Sequence, residues 1–470
     1  MGKSTSMNRK ALTAGVWYTF SNFLVRGIGF LTTPIFTRIL SQADYGNYVN
    51  YTSWLSLLTI LTTLEMYVSI NRARFDFEDD LDGYLSSVAL CGTAITAFCY
   101  AMVICFQKFF VDLFGMDMIY IHIMFLYLLV EPALPLLSTQ YRLKMKYKMV
   151  TVLSLVSTIL SVAMSLILVT VMKNQLLGRV IGNTVTLFAM NAMLYIFILV
   201  RGRKNKLSYW KYALAIAVPL VPHVLANNIL GSTDRIMIKR FCGAEETALY
   251  GVMYSCSLMI SILMNSVNQA WVPWFYENIN KSKFEIVKNV SEIYATAFCA
   301  VSALLMLCAP EFVFVFAGRS YMKAVDLMPS IMLGCVMQFL YTLYVNVEIY
   351  QKKTFGISVR TLIAALINLV LNWIFIPILG YKVAAYTTLV GYFALFVLHY
   401  FAAKKFGTSN YYNNRYIWKV AIVMMFFSGI VLISYQNIIF RYSLIVVGVT
   451  VMGRIIYKNR DKLIGFIKKE

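Results

Sequence analysis

Arg26 stands in the middle of an apolar run from Ala11 to Thr33, where its guanidinium would have no water. Such a run is long enough to cross about 30 Å of hydrocarbon, and an arginine at its centre costs at least about 2.5 to 3.5 kcal/mol. Asn22, Arg26, Gly29 and Thr33 follow one another at steps of four, three and four residues, so they share one face of a helix. That face is polar, small and cationic, and must turn toward protein or a wet cavity. The chemistry it offers is anion binding, or a structural ion pair with a carboxylate such as Glu65. A partner carboxylate that an anion displaces would satisfy both readings.

Glu65 in LLTILTTLEMYVSI and Glu131 in FLYLLVEPALPLL are the carboxylates set deepest in apolar runs. A carboxyl at this depth is a candidate proton or ion carrier, or a satisfied structural acid. Pro132 and Pro135 follow Glu131, and their missing amides predict a hinge with freed carbonyls. Asp234 and Arg235 come after Asn227, Asn228 and Gly231, with Lys239 and Arg240 just beyond. They read as the ion pairs of an outer gate, and the basic turn, like Arg38 in the corresponding turn of the first half, could instead receive an emerging anion. Asn228, Asn265, Asn268, Gln269 and Trp271, with Gln338, Asn346 and Glu348, offer hydrogen bonds and stacking along a path, or bridges between helices.

Other chemistries are excluded. His122, His223 and His399 lie far apart, the eight cysteines form no C-x-x-C pair, and no Walker motif is present, so no metal, disulfide framework, cofactor or nucleotide site is expected. The acidic run Asp76, Glu78, Asp79, Asp80 and Asp82 reads as a solvated turn.

These residues must be carried by membrane helices. The 470-residue chain is 60% hydrophobic and 13% charged, with mean hydropathy +0.69, a composition outside the range of soluble globular domains. Apolar runs predict an all-α integral membrane protein of fourteen helices, near 11–33, 45–70, 84–106, 119–139, 149–171, 178–200, 212–232, 247–272, 291–316, 326–350, 357–378, 383–403, 417–434 and 438–457. With the first helix retained rather than cleaved as a signal peptide and both termini inside, 30 Lys and Arg fall on the inner side and 11 on the outer, Arg26 being the last of the 42. The net charge of +21 is thereby a topology signal and not a nucleic-acid one. The run Arg142, Lys144, Lys146, Lys148 would touch anionic head groups. Sliding the chain on itself by 202 residues sets Gly29 on Gly231, Arg38 on Arg240, Asp44 on Glu246 and Tyr48 on Tyr250, which predicts parallel six-helix repeats. The expected organisation is an N-lobe at 1–205, a C-lobe at 206–404, and two appended helices with a tail at 405–470.

TPIFTRILSQADYGNY, STDRIMIKRFCGAEETALYGVMYS and NLVLNWIFIPILGYKVAAYTT resemble the corresponding stretches of bacterial polysaccharide flippases, in the multidrug/oligosaccharidyl-lipid/polysaccharide exporter superfamily. The resemblance covers essentially the whole chain, although Tyr381-Lys382-Val383-Ala384-Ala385 replaces the small Gly-Ala-Ala step common in that family. It implies two six-helix lobes around a central cavity, alternating access, and a non-enzymatic carrier in the bacterial inner membrane serving lipopolysaccharide, capsule or exopolysaccharide synthesis. The implied cargo is a polyprenyl-diphosphate-linked oligosaccharide, and the implied partners are the lipid bilayer, a polysaccharide polymerase and a chain-length regulator. A peptidoglycan-precursor flippase or a multidrug/cation efflux antiporter of the same superfamily are the alternatives. A membrane polymerase or glycosyltransferase would need a long outer loop that the sequence lacks.

Overall fold

The computed structural model describes residues 24–25 and 27–467, and among them every regular element is helical. Asn22 and Arg26 lie outside the described residues, as does most of the first predicted helix. Among the described residues eleven helices are long and apolar enough to cross a membrane, twelve when one bent pair is taken as a single span, and Ile438–Thr450 is a shorter apolar helix. The chain is therefore a multi-pass membrane protein.

Two compact units divide it, one of Met1–Gly251 with Thr361–Ala384, the other of Val252–Arg360 with Ala385–Glu470. The first unit contains α1 (27–39), α2 (Gln42–Thr63), α3 (Met66–Asp76), α4 (Glu78–Cys105), α5 (Gln107–Phe114), α6 (Met118–Leu143), α7 (Lys148–Val171), α8 (Gln175–Gly202) and α9 (Leu207–Phe241), with the start of α10 (Ala244–Asn280). The second contains the rest of α10, α11 (Phe284–Leu307), α12 (Ala309–Ala317), α13 (Arg319–Tyr350), the first turns of α14 (Phe355–Leu379), α15 (Val383–Lys404), α16 (Asn414–Ser434) and α17 (Ile438–Ile467).

The sequence predicts one helix over 45–70; the structure breaks it after Thr63 and bends it by 45°. Leu64 and Glu65 both take left-handed backbone angles, φ 47° and 54°, which no helix can continue through. Ahead of the break, the hydroxyls of Thr59, Thr62 and Thr63 bond back to the carbonyls of Leu55, Leu58 and Thr59 at 2.7 to 2.9 Å, a pattern that bends helices.

The break expected at Pro132 is present, and its loose backbone groups are satisfied by neighbours. Thr93 and Thr96 of α4 donate to the carbonyls of Leu129 (2.8 Å) and Leu128 (3.5 Å), and the amide of Leu134 donates to Asn191 Oδ1 of α8 (3.3 Å). Satisfying a broken helix in this way is what allows it to persist in hydrocarbon.

α9 packs closely on α2. Where α9 leads into α10, a Cβ on Gly46 of α2 would stand 1.7 Å from the carbonyl oxygen of Ala244, the first residue of α10, so only glycine admits that approach. Further along the pair, Asn228 Nδ2 donates to Ser56 Oγ at 2.6 Å. The predicted helix through Glu311 is also interrupted, at Cys308 before Pro310, giving separate α11 and α12.

Candidate functional site

The break in α2–α3 and the break in α6 meet. Glu65, Met66 and Tyr67 from one, and Glu131, Pro132 and Pro135 from the other, line a cavity of about 30 Å³ together with Thr59, Thr63 and Val88. A volume of that order holds one water-sized occupant. Glu131 is nine-tenths buried and its Oε2 has no hydrogen-bond partner among the described residues. Tyr67 interacts with Glu65 through its hydroxyl, and Tyr127 and Arg142 are the other ionisable groups coupled to this cluster. A carboxyl as buried as that of Glu131 is costly as a bare charge and calls for a proton or a cation beside it.

The other candidates fall elsewhere. Arg38 is exposed near the end of α1. Asn228 is committed to Ser56 as a bridge between α9 and α2. Asp234 is fully buried: its Oδ2 accepts from the Tyr250 hydroxyl at 2.5 Å and its Oδ1 from the Arg235 amide at 2.8 Å, while Arg235 Nε is 3.6 Å away. The pair Asp234 and Tyr250 thus fastens α9 to the start of α10. Arg240 reaches Asp112 of α5 at 3.7 Å, and both are exposed enough for water to screen them. In the second unit, Asn268 accepts from Asn346 at 3.2 Å and Gln269 is exposed.

Three acids of the run, Asp76, Asp80 and Asp82, form a clamp, while Glu78 and Asp79 are exposed as a solvated turn predicts. Asp80 accepts from Lys204 (2.7 Å), Lys206 (3.2 Å) and Tyr209 (2.6 Å), and Asp82 from Arg201 and Gln140 (each 2.7 Å). Asp76 accepts from Tyr212 at 2.5 Å. The hydrogen bonds to Tyr209 and Asp80 hold the Lys206 ammonium above the usual lysine range. A composition-based reading misses this because the partners are 58 to 136 residues away in sequence.

A buried ionic cluster in the second unit is likewise illegible locally. Glu348 is fully buried and pairs with Arg360 through one oxygen and with His399 Nδ1 through the other, the latter at 2.7 Å. The sequence offers Glu348 as a path-lining hydrogen-bonding group and His399 as an interior one; together they join α13, α14 and α15. His122 and His223 also find partners, Tyr100 and Asn227, and among the described residues no metal-binding group occurs.

Residues 12–279 match the family model described as polysaccharide biosynthesis protein. A curated relative, Lsg locus putative protein 1 of Haemophilus influenzae, is 23% identical over 197 residues, 41% of this chain and 49% of its own. The chain thus spans about half the length of that relative. Among solved structures, an inward closed conformation of the lipid II flippase MurJ is similar over 94% of this chain and all of its own, with TM-score 0.70 and 13% identity. An inward-facing multidrug resistance MATE family transporter of the MOP superfamily is similar over 84% of this chain and 98% of its own, with TM-score 0.62 and 12% identity. These likenesses establish the fold, and the matched family model establishes the membership: the chain belongs to the polysaccharide biosynthesis protein family and has the fold of MOP superfamily transporters.

Proposed function

We propose that the protein flips a polyprenyl-diphosphate-linked oligosaccharide from the inner to the outer leaflet of a bacterial inner membrane, with both termini cytoplasmic. One structural observation carries the carrier reading: two helix breaks within the apolar spans, each bearing a glutamate, open on the same small cavity. Such breaks lie at the working centres of secondary transporters, and they offer a membrane enzyme no evident use.

In this reading Asn22 and Arg26 supply the cationic face for the diphosphate, with Arg38 beyond it, and Asn228, Asn268 and Gln269 supply hydrogen bonds to the sugars. Glu65 and Glu131 exchange the coupling cation. Asp234, Arg235, Lys239 and Arg240 form the outer gate, and the delivered repeat unit passes to a polymerase and its chain-length regulator. No step makes or breaks a covalent bond, so the protein acts as a carrier and not as an enzyme.

Fold likeness to the lipid II flippase supports a second cargo of the same chemistry, a peptidoglycan precursor. A multidrug or cation efflux carrier is a third reading, drawn from the MATE likeness. Proteoliposomes loaded with a fluorescent prenyl-diphosphate oligosaccharide test the proposal. Protein-dependent passage of the label to the opposite leaflet is expected; passage of cationic dyes with no movement of the glycolipid would refute it.

A further inference from the structure

Arg179 is nine-tenths buried, yet no carboxylate pairs with it among the described residues. It differs in this from Arg441, the other buried arginine, which is paired with Glu311. The Arg179 guanidinium carbon lies over two rings of the same unit, 3.6 Å from the centroid of Phe36 on α1 and 4.4 Å from that of Tyr48 on α2. Cation–π contact with both rings fixes the group in place. Its Nε and Nη1 are buried and have no hydrogen-bond partner among the described residues.

The segment that carries Arg179 is unusually fixed. A Cβ on Gly178 would come 2.6 Å from the carbonyl oxygen of Leu168, and one on Gly182 would come 2.3 Å from the Cα of Ser165, so α8 touches α7 backbone to backbone on either side of Arg179. Residues Ile181–Val185 then form a widened π turn, a feature that often marks functional positions. The Tyr51 hydroxyl locks that turn by donating to Thr184 Oγ1 at 3.0 Å in a buried setting.

A buried cation whose donors are unmet is unfavourable unless an anion completes it in some state of the protein. A guanidinium donates best through paired N–H groups to two oxygens of one anion, the geometry of phosphate and carboxylate. We infer that Arg179, in cation–π contact with Phe36 and Tyr48, is an oxyanion-binding site, and that its ligand is the diphosphate of the lipid-linked cargo. The inference rests on the carrier reading for the source of the phosphate, but not for the site. The Lys and Arg bias puts this end of α8 on the outer side, so the site would hold the diphosphate after it leaves the Arg26 face.

Calorimetric titration of the full chain in nanodiscs with inorganic pyrophosphate, farnesyl diphosphate and glucuronate tests this. The unmutated chain is expected to bind pyrophosphate and farnesyl diphosphate. Arg179→Gln should weaken both by about tenfold or more, and Arg179→Lys, which keeps the charge but not the fork, by nearly as much. Tyr48→Leu, which leaves the guanidinium in place, should weaken binding severalfold and serves where the arginine variants fail to fold. The inference falls if pyrophosphate does not bind the unmutated chain, or if it binds the variants as tightly. Preference for glucuronate would make the ligand an acidic sugar and overturn the phosphate assignment. Arg179-dependent pyrophosphate binding in a chain that moves no glycolipid would leave the site standing and remove the carrier reading.

Discussion

Glu65 and Glu131 come from two different broken helices and face one cavity of about 30 Å³. Among the described residues neither carboxyl is matched by a salt-bridging arginine or lysine, while Asp76, Asp80 and Asp82 of the clamp are. A buried acid such as Glu131, left without a basic partner among the described residues, is a group whose charge can change during a cycle.

Replacing Glu131 by Gln removes the charge and keeps the shape. Transport driven by an imposed proton or sodium gradient is expected to fall at least about tenfold, while cargo binding in the absence of a gradient changes less than about threefold. Comparing the two gradients in the same vesicles identifies the cation, and a variant that still responds fully to both would exclude the dyad from coupling.

Glycine is required at position 182, where a methyl would collide with the backbone of Ser165. Gly182→Ala should therefore destabilise the folded protein by about 1 to 3 kcal/mol, seen as a lowered thermal midpoint in detergent. The control Gly429→Ala, where the added methyl meets open space, should change the midpoint much less.

Tyr250→Phe strips the buried Asp234 carboxylate of its 2.5 Å donor without opening a cavity. The expected loss is about 1 to 3 kcal/mol, larger than for Tyr442→Phe, whose partner Glu311 keeps Arg441. Paired thermal melts measure the difference.

Asp80→Ala releases Lys204, Lys206 and Tyr209 at once. Screening by water keeps the expected loss to about 1 to 2 kcal/mol. Because Lys206 is held above its ordinary range in the folded state, its contribution is complete below the ordinary lysine pKa and is lost as pH rises through the raised value. The melting difference between Asp80→Ala and the unmutated chain should thus be flat from pH 6 to about 9 and shrink only in strong alkali.

Much of the fold was legible because hydrocarbon imposes a simple rule: an apolar run of sufficient length becomes a helix. The prolines at 132 and 135 announced their break for an equally local reason. The bend at Leu64 and Glu65 was hidden, since neither residue favours left-handed backbone and the cause lies in threonine hydroxyls one turn earlier. Glu65 and Glu131 stood out as acids in oil, but that they share a cavity depends on how α3 and α6 pack. The clamp at Asp80, the Glu348 cluster and the contact of Arg179 with its two rings were invisible because each joins residues distant along the chain. Arg26 and Asn22, the residues the sequence made most prominent, lie outside the described residues.

Leaflet-to-leaflet movement of a prenyl-diphosphate oligosaccharide in proteoliposomes containing only this chain addresses the central claim most directly. The account predicts protein-dependent flipping that accelerates under a cation gradient and loses that acceleration in Glu131→Gln. Flipping that is absent under every gradient, or that proceeds at the same gradient-stimulated rate with Gln at position 131, would contradict it.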